Sequence, residues 1–328
     1  MPINTKTLLD RIQNGYNPTF DEALSLLDPM VDLEGLMEIA DSITRKSYDR
    51  RVGMCCIYPA RVGHCGGDCA FCAQSVHNSC QIQPVRIEDT KVEYILAYVR
   101  GMKAHGVGWF SLVTSGERLS DDEFAVLVDL IKKIRRESDI NLCASVGELN
   151  LKRAVSLHDA GITRYHHNIE TSPSYFPKIC STHTFEEKIE TIRYARQAGL
   201  EICCGGILSM GETAHDRIEM AMTLKELDVD SIPLNILNPI PGTRMENQEI
   251  LSPEDILRAL AVFRILLPDK VIRYAGGRES AMGEHEYEGY RAGVNALIAG
   301  SFLTTTGKNV KDEIKTLTRL GLVIDTEI

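Results

Sequence analysis

The chain has no apolar stretch near the roughly 18 residues that a membrane-spanning helix needs. Its N-terminal run MPINTKTLLDRIQNG also lacks the apolar core of a secretory leader. These two absences set the expectation of a cytoplasmic protein with no membrane partner. Runs of lysine or arginine are missing too, and 36 basic against 46 acidic residues give a formal charge of -10. A nucleic-acid surface needs a basic face to meet phosphates, so no nucleic acid is expected as a partner. Ten cysteines in 328 residues are too sparse for a disulfide scaffold. In a reducing compartment, metal binding is the special use left to them.

What is present begins with Cys65-Gly66-Gly67-Asp68-Cys69-Ala70-Phe71-Cys72. Three thiols at C-x3-C-x2-C can hold three corners of an iron-sulfur cube and leave the fourth iron open for chemistry. Thiolates select soft metals, and structural zinc wants four closed ligands, usually as two separated pairs. A cluster is therefore expected, against zinc or buried inert thiols.

A phrase recurs along the chain: a helical pattern, a small residue with glycine, then a short apolar run. It occurs at KAHGVGWFSLV, HDAGITRYHHNI, RQAGLEICCGGI and YRAGVNALIAG, with KELDVDSIPLNIL as a glycine-free version. Glycine suits a left-handed helix C-cap, and the run after it reads as a strand. Candidate strands fall near 52-58, 109-114, 140-145, 163-169, 200-207, 230-237, 270-275 and 294-299. Alternating strands and helices imply parallel pairing, and this number of units predicts an α/β fold of the (β/α)8 TIM-barrel type, with an open doubly wound sheet as the alternative. Residues 1-50 read as an N-terminal helical segment packed on a barrel of 51-328. With no Pro-, Gly- or Ser-rich linker, a single domain is expected.

Side chains alternate along a strand, so a barrel strand with one apolar face under helices turns the other face inward. On this parity Arg51, Gly53 and Cys55 point in from the first strand, and Trp109 and Ser111 from the second. Asn141, Cys143 and Ser145 follow from the third, and Arg164, His166, Asn168 and Glu170 from the fourth. Glu201 and Cys203, Ser231 and Asn235, and Arg273 complete the set. Ordinary barrel interiors are packed with Val, Ile and Leu, so this polar wall reads as a lined cavity. A buried guanidinium without an anionic partner costs several kcal/mol, and a thiolate-ligated cluster near Arg273 would supply one.

The runs YHHNIETSP (165-173), CCGGILSMGET (203-213), SIPLN (231-235) and IRYAGGRE (272-279), with the cysteine triple, resemble the biotin synthase family of radical S-adenosylmethionine (SAM) enzymes. The likeness runs from about residue 30 to the C-terminus. It implies a (β/α)8 barrel, usually a homodimer, that inserts sulfur between two unactivated carbons of dethiobiotin. It further implies that Cys65, Cys69 and Cys72 bind a [4Fe-4S] cluster whose open iron takes SAM. A reduced flavodoxin or ferredoxin then supplies the electron that splits SAM into methionine and a hydrogen-abstracting radical. By the same resemblance Phe71 lies beside the adenine, Ser115-Gly116-Glu117 binds the SAM amino group, and Asn168 and Glu170 contact the ribose. Lys188 stands where an arginine is common for the SAM carboxylate, and Ile207 matches an adenine contact. Asn168 and Asn235 would hold the ureido ring of dethiobiotin, with His166 replacing a common asparagine there.

The resemblance also implies an auxiliary cluster bound by three inward cysteines and an arginine. Cys143, Cys203 and Arg273 match, but Ser111 stands at the second-strand position. A serine oxygen is a poorer ligand for such clusters than a thiolate. Cys55, inward on the neighbouring first strand, is the candidate replacement. The set Cys55, Cys143, Cys203 and Arg273 then favours a four-iron auxiliary cluster over a [2Fe-2S] one. Cys80, Cys180 and Cys204 read as structural. The other classes weighed are a hydrogenase-cofactor maturase or methylornithine synthase, which would not need Cys143 and Cys203 beside Arg273, and an iron-sulfur carrier, which would not cleave SAM.

Overall fold

Local signals place the helices around the strands. The helices Asp121–Glu137, Phe185–Gln197 and Ala214–Glu226 each open on a capping box, Ser120 with Glu123, Thr184 with Glu187 and Thr213 with Asp216. The helix Leu151–Ala160 closes on Gly161 at φ 108°, the left-handed cap anticipated for the recurring phrase. The strand that follows such a cap is short and apolar on its outer face. This computed structural model of the chain describes residues 4–301 and 307–328.

The strands are β1 (Arg51–Arg61), β2 (Trp109–Thr114), β3 (Asn141–Ser145), β4 (Arg164–His166), β5 (Glu201–Cys203), β6 (Gly206–Leu208), β7 (Ser231–Ile236), β8 (Val271–Tyr274), β9 (Ala296–Ile298) and β10 (Val323–Asp325). All pair in parallel. The order runs β1-β2-β3-β4-β5-β7-β8-β9, and β9 returns to β1 through Gly53↔Ala296 and Cys55↔Ile298, closing an eight-membered (β/α)8 ring. The expected fifth strand, 200-207, is broken into β5 and β6, and both pair with β7. The break falls at Cys204-Gly205, where a Cβ on Gly205 would lie 2.0 Å from the Pro233 carbonyl oxygen.

The N-terminal helices Thr5–Gln13, Phe20–Ser25 and Leu33–Tyr48 contribute Leu8, Ile12, Leu36, Met37 and Ile39 to the layer between barrel and helices. Tyr48 donates a hydrogen bond to the Asp269 carbonyl at 2.6 Å, tying the last of these helices to the barrel.

β10 has no counterpart among the expected strands. It pairs with Arg51–Gly53 of β1, ahead of the point where β2 joins at Cys55. The residues beyond it plug the bottom of the barrel: Ile328 packs with Val271 and Ala296, and Asn141 donates to the Thr326 carbonyl at 3.4 Å. This plug corrects the inward parity at the lowest level. Arg51 is exposed there and paired with Asp325 at 3.0 Å, and Gly53 faces the Ile328 carbonyl.

Close approach explains the glycine at 108, where an added Cβ would lie 1.9 Å from the Thr326 oxygen. Gly108→Ala is expected to destabilise the chain by about 1–3 kcal/mol, an overpacking cost, and to lower Tm by several degrees. Thermal unfolding checks this. Deleting residues 326–328 should absorb most of the penalty, and a full penalty in the truncated chain would show that the tail is not its cause.

Candidate active site

The loop after β1 carries the three-cysteine sequence to the C-terminal mouth of the barrel, the face on which barrels of this type build their active sites. Backbone bonds fold it tightly: Cys65 N–H donates to Gln74, Val76 N–H to Cys65, and Cys72 N–H to Cys69. Asn78 Nδ2 donates to the carbonyls of Cys69 at 3.2 Å and Cys72 at 2.8 Å, and Ser75 Oγ to that of Gly67 at 2.6 Å. The Asp68 carboxylate accepts from Ser181 N at 2.8 Å, Ser181 Oγ at 2.6 Å and Thr182 N at 3.1 Å. The loop is thus held from within and pinned to residues 179–183, with all three cysteines half-buried.

Below it lies a cavity of about 370 Å³. Cys55, Trp109, Ser111, Cys143, Ser145, Arg164, His166, Asn168, Glu170, Cys203, Asn235 and Arg273 all line it, as parity anticipated, together with Phe71, Cys72 and Ile207 from the mouth. At the floor, Cys55, Trp109 and Cys143 form one buried group. Ser111 is level with Cys143 in the β2–β3 register, whereas Cys55 is level with Trp109, so Cys55 sits lower along its strand than Ser111 does.

The electrostatics of this floor favour a thiolate at Cys203, whereas burial raises the thiol of Cys143. Burial pushes the Cys203 thiol up, but the His166 ring, with Nδ1 3.4 Å from the sulfur, more than offsets this with help from Arg273 and Arg164, leaving Cys203 at about 7. Burial also raises Cys55, with Arg273 acting against the rise. Arg273 is 2% exposed, and among the described residues its Nη1 donates to the Leu297 carbonyl at 3.2 Å rather than to a carboxylate. The Trp109 indole N–H is buried with no acceptor among the described residues. Three thiols, a guanidinium without a carboxylate partner among the described residues and an orphaned donor around one space fit an anionic, sulfur-rich group such as an iron-sulfur cluster.

Higher up, Glu170 adopts φ 69°, uncommon for a side chain with a Cβ, and this turn after β4 aims its carboxylate into the cavity. Asn168 donates to Glu170 at 3.3 Å and accepts from Gly205 N at 3.0 Å. Asn235 accepts from Gly276 N at 2.9 Å and donates to the Gly206 carbonyl at 3.3 Å. Each amide keeps one N–H and one lone pair for a ligand.

Not every expected site residue reaches the cavity wall. Ser115 Oγ donates to the Gly63 carbonyl at 2.6 Å, Gly116 packs on Arg61, and Glu117 Oε1 lies beside Gly67, so this turn abuts the cysteine loop. Lys188 is buried with its Nζ 5.7 Å from the Phe176 ring centre, on the flank of the same loop. Cys204 is fully buried in the outer layer and Cys80 contacts the Pro241 carbonyl at 3.2 Å. Two features were missed. Arg164 lies 3.5 Å over the Trp109 ring and bonds Glu201 at 2.9 Å, a pairing that the β4–β5 register could have revealed. Cys180, read as structural, lies 3.8 Å from Cys69 across a loop contact that no local pattern announces.

Two family patterns match the chain: the Radical SAM superfamily over residues 61–224 and the Biotin and Thiamin Synthesis associated domain over residues 233–323. In structure the chain is similar to methylornithine synthase, with TM-score 0.83, 19% identity and 97% of each chain covered. It is likewise similar to the FeFe-hydrogenase maturase from Carboxydothermus hydrogenoformans, with TM-score 0.84, 17% identity, and 98% of this chain and 79% of that one covered. At such identities these likenesses speak to the fold alone. The barrel, its mouth loop and the superfamily match define a radical SAM enzyme, which uses a [4Fe-4S] cluster and SAM.

In sequence the chain is 44% identical over 319 residues to the biotin synthase of Acetivibrio thermocellus, covering 97% of this chain and 99% of that protein. It is 44% identical over 320 residues to that of Carboxydothermus hydrogenoformans, covering 97% and 98%. The chain belongs to the biotin synthase family. No helix among the described residues is long and apolar enough to cross a membrane.

Proposed function

We propose that this chain makes biotin from dethiobiotin in the cavity at the barrel mouth, with two iron-sulfur groups held at opposite ends of that space. Cys65, Cys69 and Cys72 would hold the [4Fe-4S] cluster, and Cys55, Cys143 and Cys203, with Arg273, an auxiliary cluster that is the sulfur source. When bound, the first group supplies the reducing chemistry that turns SAM into a hydrogen-abstracting species, and the second supplies sulfide. The observation that carries this reading is the gathering of three inward thiols and Arg273, without a carboxylate partner among the described residues, below the cysteine loop in one cavity. A four-iron auxiliary group is favoured because Cys55 sits lower along its strand than Ser111, which displaces the third ligand, and three thiolates can hold a cube with one open iron.

The chain's own residues would do the positioning. Phe71 and Ile207 offer apolar faces for an adenine, and Glu170 suits a ribose diol because a carboxylate accepts both hydroxyl protons. Asn168 and Asn235 each keep one free N–H and one free lone pair, a match for a urea that both donates and accepts. His166, bonded to Cys203, stands between the ureido subsite and the floor. Ser115, Gly116, Glu117 and Lys188 would meet the SAM amino and carboxylate groups from the flank of the loop. A reduced flavodoxin or ferredoxin is the electron donor in this reading, and the working form is a cytoplasmic homodimer. Residues 1–50 serve it as a helical brace on a barrel of 51–328.

Anaerobic reconstitution with iron and sulfide counting, Mössbauer spectra and a dethiobiotin-to-biotin assay tests the whole. One cluster per chain, or no biotin from a two-cluster protein given dethiobiotin, SAM and reductant, would overturn it. Asn235→Ala tests the substrate subsite. Leaving polar groups of a buried urea unpaired costs about 1–3 kcal/mol, so dethiobiotin should bind about tenfold or more weakly while SAM cleavage persists. Unchanged affinity by calorimetric titration would move the subsite elsewhere.

A further inference from the structure

Cys180 closes the short helix Phe176–Ile179. Its sulfur lies 3.8 Å from Cys69 Sγ and 3.3 Å from His183 Nδ1, and ligand atoms of all three residues fall within 4.8 Å of one another. A tetrahedral zinc ion, with Zn–S of about 2.3 Å and Zn–N of about 2.0 Å, sets its ligands about 3.8 Å apart for S–S and about 3.6 Å for S–N. The Cys69–Cys180 separation matches a single ion, and the Cys180–His183 separation is about 0.3 Å shorter than that ideal. The corners of an iron-sulfur cube sit on separate irons, so its thiolates must stand further apart.

We propose that Cys69, Cys180 and His183 form a mononuclear site for a thiophilic divalent cation in the cluster-free chain, and that it competes with the [4Fe-4S] cluster for Cys69. The competition, though not the site, rests on the reading of Cys69 as a cluster ligand. Supporting bonds hold the set in place. Asp68 ties down the segment that carries Cys180 and His183 by accepting from Ser181 N at 2.8 Å and Thr182 N at 3.1 Å; it also accepts from the Cys180 thiol at 3.2 Å, a bond whose proton leaves when the sulfur binds metal. The His183 ring packs edge-on against Phe176 at 5.7 Å. Cys180 is buried, but His183 and Cys69 are half-buried, which leaves a path from solvent. With three protein ligands, the fourth position falls to water, so the ion stays exchangeable. Zinc outranks ferrous iron at a given N/S site, so zinc is the occupant that would hold Cys69 away from the cluster.

The test uses the full chain stripped of iron under anaerobic conditions and titrated with Co²⁺, whose thiolate charge-transfer and tetrahedral ligand-field bands report the ligand set. One equivalent should produce these bands in the wild type. Cys180→Ala and His183→Gln should each weaken binding by about 100-fold or more, since loss of an outer partner alone costs 10–100-fold. Cys65→Ala and Cys55→Ala should retain the bands. If Cys180→Ala and His183→Gln bind Co²⁺ as the wild type does, or if Cys65→Ala loses the bands equally, the mononuclear site is refuted. In a second arm, one equivalent of Zn²⁺ added before iron and sulfide should slow recovery of the first cluster at least tenfold in wild type and not in His183→Gln. Equal recovery in both would refute the competition while leaving the cobalt result to judge the site.

Discussion

Cys72→Ala protein, reconstituted and reduced under strict anaerobiosis, should release no 5'-deoxyadenosine from SAM. Of the three loop cysteines, Cys72 is the one that lines the cavity, and burial pushes its thiol up to about 11. Such a thiol does not ionise freely at neutral pH, so ligation to iron is what would hold it as a thiolate. With two thiolates left, the cube has two unsupported irons. The loss should exceed the roughly 100-fold that removal of a mere outer partner can cost. Cys80→Ala provides the contrast: its sulfur touches the Pro241 carbonyl, away from the cavity wall, and cleavage should persist. Deoxyadenosine measured by chromatography decides the matter. Wild-type release from Cys72→Ala would remove the loop from the chemistry.

Much of this site could be read from alternation alone. β3 displays Cys143 and Ser145 inward because Leu142 and Ala144 are fully covered on the outside, and the same logic places His166, Cys203 and Arg273. The logic fails where the barrel ends. Arg51 and Gly53 have inward parity, yet the tail from Asp325 to Ile328 fills that level, and a three-residue strand contributed from the far end of the chain leaves no periodic signal. The fifth unit fails for a related reason. Its run from Leu200 to Ile207 reads as one strand, but Gly205 is pressed against the β7 backbone and the strand breaks there. The contact of Cys180 with Cys69 spans 111 positions and joins two loops, so neither spacing nor parity could predict it. What alternation reports is which way a strand residue faces. It is silent on what loops bring together above the strands.

Cys55→Ala should separate the two clusters. The protein should keep its first cluster and SAM cleavage, yet lose the auxiliary iron, about four atoms per chain if that group is a cube, and all biotin formation. The argument starts from the floor: Cys55 is packed with Trp109 and Cys143, faces Arg273 and Cys203 closely enough to share their charge, and sits on the strand beside Ser111. Without it the floor retains only Cys143 and Cys203 as thiolates, with a serine oxygen that suits iron-sulfur groups poorly. Arg273 and the Trp109 N–H would then face no sulfide, so the polar floor loses the group that satisfies it. Ser111→Ala should, by contrast, retain most of the auxiliary iron. Neither change should unfold the chain, since trimming a sulfur from a buried site costs about 1–2 kcal/mol at the scale of a small cavity. Iron and sulfide counts with Mössbauer spectra, set beside deoxyadenosine and biotin yields, give five readouts from one preparation. Full iron and biotin in Cys55→Ala, with loss in Ser111→Ala, would make Cys55 a packing residue and return the auxiliary cluster to Ser111, Cys143, Cys203 and Arg273.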